Sequence, residues 1–297
     1  AGRESLKLLG IQHHHAHIAS VMAEKGLYEE VLGVAFDGTG YGTDGKMWGG
    51  EFLLCTPSAF SRAGCLRYIP LPGGDASVRE GWKAAAFYLY EAGLEHLIAD
   101  TRWPVLKAAR QAGVNTVDSS SMGRLFDAVS SILGLCHTAG YEGEGAVRLE
   151  QAAVRWLHDN SLERVRPFAY RIEERDGAKV LDFLPMVREI AERKESGSVP
   201  GSLAAGFHLT VARAAAELSR EICATHGLNK VVLSGGVFQN RLLLGLIKEF
   251  LAETDRLGVY YNTMDFAGAG SGRPAPAGRL LKKAAPIEYP YNNLTII

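Results

Sequence analysis

The chain has 297 residues, enough to bury a large core as one two-lobed unit or as two domains. A composition of 47% hydrophobic and 22% charged residues is that of a globular protein, and 32 basic against 33 acidic residues leave no basic footprint for a nucleic acid. No stretch approaches about 18 consecutive apolar residues, so neither nucleic acid nor membrane is an expected partner.

The opening Ala1-Gly2-Arg3-Glu4-Ser5 has neither an initiator Met nor a signal-like apolar stretch, as in a fragment or a processed chain. Residues 6–11 read as a strand. The run Gln12-His13-His14-His15-Ala16-His17 then holds four of the nine histidines. A helix is expected over 13–25, stopping at Gly26 in the left-handed conformation. The i, i+4 spacing puts His13 and His17 on one face, close enough to share a divalent metal, while His14 and His15 point elsewhere and suit structural roles.

Residues 31–36 form a short apolar strand that ends in Asp37-Gly38-Thr39-Gly40-Tyr41-Gly42-Thr43-Asp44-Gly45, and 47–55 reads as the returning strand of a β-hairpin. Asp37 stands at the strand end, where sites in α/β folds collect, and the glycines allow close backbone approach to a ligand. The same residues equally suit a plain turn in which Asp caps the loop. Cys55, Cys65, Cys136 and Cys223 lie far apart without a Cys-x-x-Cys pair, as expected of reduced, buried thiols in the cytoplasm. Amphipathic helices are expected over 80–92, 94–110, 122–133, 145–158, 202–226 and 241–254. The run from Val231 to Asn240 is a buried strand followed by a Gly235-Gly236 turn into a helix, whose first amides are expected to face a phosphate or ribose. It is not a P-loop, since Gly-x-x-x-x-Gly-Lys-Ser/Thr is absent.

Five motifs in order resemble the HypF family, the carbamoyltransferases of nickel–iron hydrogenase maturation. They are His13-His14-His15-Ala16-His17-Ile18-Ala19-Ser20; the 36–45 hairpin with Trp48-Gly49-Gly50-Glu51-Phe52; Gly123-Arg124-Leu125-Phe126-Asp127-Ala128-Val129; Tyr141-Glu142-Gly143-Glu144; and Leu233-Ser234-Gly235-Gly236-Val237-Phe238-Gln239-Asn240-Arg241. The match spans residues 6–262 and corresponds to the family's C-terminal part, which is similar to the tRNA threonylcarbamoyl transferases. The preceding acylphosphatase, zinc-finger and YrdC-like parts have no counterpart here.

The resemblance implies an α/β fold of the actin, sugar-kinase and Hsp70 type, with two RNase H-like lobes and an ATP-binding or AMP-binding site between them. The lobes are expected at 1–118 and 119–262, with a divergent tail at 263–297. It further implies a transferase that passes the carbamoyl group of carbamoyl-adenylate to the C-terminal cysteine of a partner, HypE. By resemblance, His13 and His17 match metal ligands for iron or zinc, and Asp37 matches the acidic residue at the reacting carbamoyl end. Asp127 and Gly143 match the adenosine pocket, and Gly235, Gly236 and Asn240 match the second nucleotide loop. The chain departs from the family where an Asn-Asp-Gly-Gly loop, whose Asp completes the metal site, is expected; it reads Met264-Asp265-Phe266-Ala267-Gly268 instead. Asp265 is one substitute ligand, and the Gly-, Ala- and Pro-rich segment after it suits a loose tail. Alternatives are an O-carbamoyltransferase or tRNA threonylcarbamoyl transferase, the latter disfavoured by the neutral charge, and a non-catalytic nucleotide-binding docking module.

Overall fold

The computed structural model describes residues 10–74, 79–253 and 256–262. The expected strand at 6–11 and the tail at 263–297, Asp265 included, therefore lie largely or wholly outside the described residues.

Helix α1 (His13–Lys25) begins where the Gln12 side chain accepts the His15 amide at 2.8 Å, and it stops at Gly26 with φ of 66°. Strands β1 (Val31–Tyr41) and β2 (Met47–Cys55) form the expected hairpin, and β3 (Phe60–Leu66) continues the antiparallel meander. Strand β4 (Ile69–Pro72) follows, and then helices α2 (Gly81–Glu91) and α3 (Trp103–Gln111). The single helix expected over 94–110 is not formed. Glu95–Leu97 makes one 3-10 turn, and Pro104, which cannot donate a helical hydrogen bond, sits in the first turn of α3 rather than in a helix interior. Strand β5 (Thr116–Ser119) leads into α4 (Met122–Ile132), and α5 (Glu144–Asp159) follows. The chain continues through β6 (Arg171–Arg175), β7 (Ala178–Asp182), α6 (Leu184–Glu195) and the long α7 (Pro200–His226). It ends with β8 (Lys230–Ser234), α8 (Arg241–Ala252) and β9 (Gly258–Tyr261).

Among the described residues the nine strands join one sheet with the path β6-β7-β3-β2-β1-β8-β9, to which β4 and β5 attach beside β2. β1 pairs antiparallel with β2 and parallel with β8, which pairs parallel with β9. The class is α/β, as expected. The sheet crosses the lobe boundary expected after residue 118, because Leu32 to Ala35 of β1 pair with Val231 to Ser234 of β8.

β1 is apolar on both faces because both are covered. Val31 and Ala35 pack with Ile18, Val21 and Met22 of α1, whereas Leu32, Val34 and Phe36 join the larger core with α4, α5 and α7. Burying each large aliphatic of α1 contributes about 1.5–3 kcal/mol, which fixes the histidine-bearing helix on the central strand. The pairing of β1 with β2 slips between Phe36 and Gly40, and Asp37, in alternation with Val31 and Ala35, faces α1. Among the described residues no helix is long and apolar enough to cross a membrane.

Candidate functional site

Three side chains converge at the C-terminal end of β1. Asp37 Oδ2 lies 2.9 Å from His13 Nε2 and 3.1 Å from His17 Nε2, and the two Nε2 atoms are 3.1 Å apart. The other carboxylate oxygen accepts the Gly38 amide at 2.8 Å and the Gly236 amide at 3.3 Å. Burial alone would raise the Asp37 carboxyl, but hydrogen bonds from His17, His13 and the Gly38 amide outweigh it and hold it well below the usual carboxylate range. A tetrahedral zinc site with bonds of about 2.0–2.1 Å places its ligand atoms about 3.3 Å apart, close to the spacing found here. Two imidazole nitrogens and one carboxylate oxygen, all within 4.8 Å of one another, thus form a donor set that fits iron or zinc. Asp37 is the third donor of this set, and Asp265, the substitute ligand considered from sequence, lies outside the described residues.

His14 and His15 support the cluster from behind. His15 is bonded to the Thr56 carbonyl oxygen at 2.9 Å and packs on Phe60. His14 is fully buried against Trp48, with burial the main cause that holds its imidazole down to about 4 and so keeps it neutral. A side chain at Gly40 would place its Cβ 2.4 Å from the His14 ring and 2.8 Å from that of His13, so only glycine lets the hairpin close over them. Trp48 is held in turn by Asp44, which accepts its indole N–H at 2.9 Å, and by the Arg62 guanidinium 4.1 Å above its ring. Arg62 is paired with the wholly buried Glu51 at 2.7 Å.

Beside this cluster lies a cavity of about 130 Å³ lined by Phe126, Tyr141, Glu142, Gly143, Ala146, Val147, Glu150, Gly236, Val237, Gln239 and Asn240. Gly143, Gly236 and Asn240 are thus brought together as expected, and Gly236 joins cavity and cluster through its bond to Asp37. Gly235 is not in the lining. Its φ is 106°, and a Cβ at this position would fall 2.3 Å from the Phe36 carbonyl oxygen, so this glycine serves the close approach of the turn to β1. Asp127 stands one layer back, where its carboxylate fills the space under Gly145 and pairs with Arg124 at 2.8 Å. Burial pushes the Asp127 carboxyl up, and Arg124 partly offsets this.

The first amides of α8 are not open to a phosphate, contrary to the expectation from sequence. Glu150 Oε1 accepts the Leu242 amide at 3.2 Å and Asn240 Oδ1 accepts that of Leu243 at 2.8 Å. A buried carboxylate stands where an anion would sit. Glu150, Glu51, Arg62 and His208 do not stand out as individual sequence positions. The available signal is a polar residue inside an otherwise buried stretch, as with His208 among Phe207, Leu209 and Val211. A larger cavity of about 590 Å³, lined by Trp82, Arg102, His137 and Lys194 among others, shares no residue with the cluster or the smaller cavity.

Fold and site together define an α/β domain with a histidine–carboxylate cluster at the end of its central strand and a cavity alongside. The chain belongs to the HypF carbamoyltransferase family: residues 33–265 match the family described as carbamoyltransferase, Kae1-like domain, second subdomain. It is 35% identical over 263 residues to a carbamoyltransferase HypF homolog of Cupriavidus necator, covering 85% of this chain and 66% of that protein. To carbamoyltransferase HypF of Rhizobium leguminosarum it is 37% identical over 256 residues, 84% of this chain and 32% of that one. The chain therefore spans only part of these relatives, from 32% to 66% of their length. Among solved structures it is similar to full-length HypF in a phosphate- and nucleotide-bound form, with a TM-score of 0.79, 38% identity, and coverage of 87% of this chain and 41% of that one. A second HypF, from T. kodakarensis, superposes with a TM-score of 0.73 at 32% identity, covering 86% of this chain and 34% of that one.

Proposed function

We propose that this chain is the carbamoyl-transferring domain of a HypF-type enzyme, moving the carbamoyl group of carbamoyl-adenylate to the C-terminal cysteine thiol of HypE in the cytoplasm. The observation that carries this reading is the convergence of His13, His17 and Asp37 beside a cavity to which Gly236 ties them. An iron or zinc ion bound there would supply Lewis-acid polarisation of carbamoyl or phosphate oxygens.

The chain's own residues orient the substrate. A cavity of about 130 Å³ is below the roughly 300 Å³ at which pockets begin to take whole ligands, so it suits one moiety of a nucleotide. Carboxylates only accept hydrogen bonds, so Glu142 and Glu150 suit sugar hydroxyls and repel phosphates. The nucleoside end accordingly belongs in the cavity, with the phosphate and carbamoyl end on the Gly236 side, toward Asp37. Transfer then balances simply: the acceptor thiolate forms a C–S bond to the carbamoyl carbon, the C–O bond to AMP breaks, and AMP leaves with the electron pair.

The nucleophile belongs to the partner. All four cysteines of this chain are buried, and burial raises Cys55 and Cys65 to about 12 and Cys223 to about 11. Pre-formed carbamoyl-adenylate, supplied with HypE and metal, is expected to carbamoylate the HypE terminal cysteine, read by mass spectrometry. AMP binding without any transfer would instead make the chain a docking module.

A further inference from the structure

His208 lies in the middle of α7, has no exposed surface, and takes no part in the transfer described above. Its hydrogen bonds have only one consistent direction. The Leu243 amide must donate, so Asn240 meets it with Oδ1 and turns Nδ2 toward His208 Nε2, 2.9 Å away. Nε2 is therefore the acceptor, and Nδ1 carries the proton, which it donates to the Ala204 carbonyl oxygen at 2.8 Å. Phe126, which lines the same cavity as Asn240, presents its ring to the imidazole at 5.6 Å and 81°. One buried side chain thus backs two residues of the cavity wall, from a helix that contributes nothing to the lining.

We infer that His208 is a positioning residue for nucleotide binding: by holding the Asn240 carboxamide it fixes the Gly236–Gln239 turn and the start of α8 as the wall of the cavity. This rests on the reading of that cavity as the nucleoside site. The carboxamide cannot serve the helix cap and turn elsewhere at once. Without an acceptor at position 208, Nδ2 is left buried and unsatisfied, so the group rotates and releases Leu243 or displaces the turn. A histidine that merely filled core space would be replaceable by an apolar residue of similar size at no cost to the cavity.

The test is calorimetric titration of the 297-residue chain with AMP and, separately, with zinc, alongside thermal unfolding. His208→Leu is expected to weaken AMP binding about tenfold or more, as loss of a buried hydrogen-bond partner does, and to weaken zinc binding less, since zinc would meet His13, His17 and the Asp37 oxygen that does not face the turn. His208→Gln, which restores an acceptor within reach of Asn240, is expected to recover most of the AMP affinity. A folded His208→Leu protein with wild-type AMP affinity overturns the inference. Should that variant fail to fold, His208→Gln is compared with His208→Ser, which is too short to reach Asn240; equal AMP affinity in the two overturns it likewise. A wild-type chain that binds no AMP overturns the nucleoside reading, and the inference with it, an outcome distinct from equal binding by the variants.

Discussion

At the scale of single residues, the cluster of His13, His17 and Asp37 depends on three side chains that differ in how they are held. His13 and His17 ride on a helix fixed by its buried face, whereas Asp37 is held by the amide of its neighbour Gly38 in β1 and by that of Gly236 in the turn after β8. Replacing both histidines with alanine leaves one carboxylate oxygen, and the purified protein should then contain no stoichiometric metal by elemental analysis; unchanged content would place the metal elsewhere. Asp37→Asn keeps the shape but removes the charge, and is expected to weaken metal binding while leaving the fold intact. Asp127 is a different case. Its carboxylate pairs with the buried Arg124, and Asp127→Ala removes that counter-charge from a buried guanidinium, so unfolding in denaturant should show a loss of about 3 kcal/mol.

At the scale of elements, the turn after β8 is the critical connection. A substitution at Gly235 would meet both a left-handed φ and the Phe36 carbonyl oxygen, so Gly235→Ala is expected to cost at least about 2 kcal/mol in thermal unfolding and to open the contact between β1 and the turn. Helix α7 carries a pH signature. Burial is the chief cause that lowers His208 from its ordinary 6.5 to about 4, so the folded protein keeps it neutral while the unfolded chain takes up the proton first. The unfolded state thus binds more protons between pH 6.5 and 4, and stability falls as pH drops through that window, by about 3 kcal/mol at about 1.4 kcal/mol per unit. Above pH 6.5 there is no contribution. His208→Gln should flatten that part of the stability–pH curve, and identical slopes in the two proteins would deny the buried neutral histidine.

The elements legible in the sequence are those with a strong local signal. α1 carries its close histidine spacing and its Gly26 stop, and the β1–β2 hairpin carries an apolar run into a glycine-rich turn. The break before α3 is signalled only by Pro104, against an amphipathic pattern that runs straight across it. Strands β3 to β7 are mostly short and only partly buried, so alternation within them is weak. The histidine pair is legible because four residues on a helix is a local spacing. The family resemblance directs attention to the segment around Asp265, whereas Asp37 meets the histidine pair through the packing of α1 on β1, a contact across 20 and 24 residues that no local spacing encodes. Glu150 capping Leu242, 92 residues away, leaves no pattern in the chain at all.

At the scale of the whole molecule, one sheet explains why distant segments form a single site. The parallel pairing of β1 with β8 brings Asp37 against the Gly235–Gly236 turn, and α1 is packed on the face of that same strand. On the function proposed above, cavity and cluster are two ends of one site, with the nucleoside at Glu142 and Glu150 and the reacting end at Asp37. Diffraction from crystals soaked with zinc and AMP, collected at the zinc absorption edge, tests this most directly. The expected result is an anomalous peak bonded to His13 Nε2, His17 Nε2 and an Asp37 carboxylate oxygen, with the AMP sugar in the smaller cavity and its phosphate on the Gly236 side. Zinc bound away from these three residues, or AMP seated in the larger cavity beside Trp82 and Arg102, would contradict it.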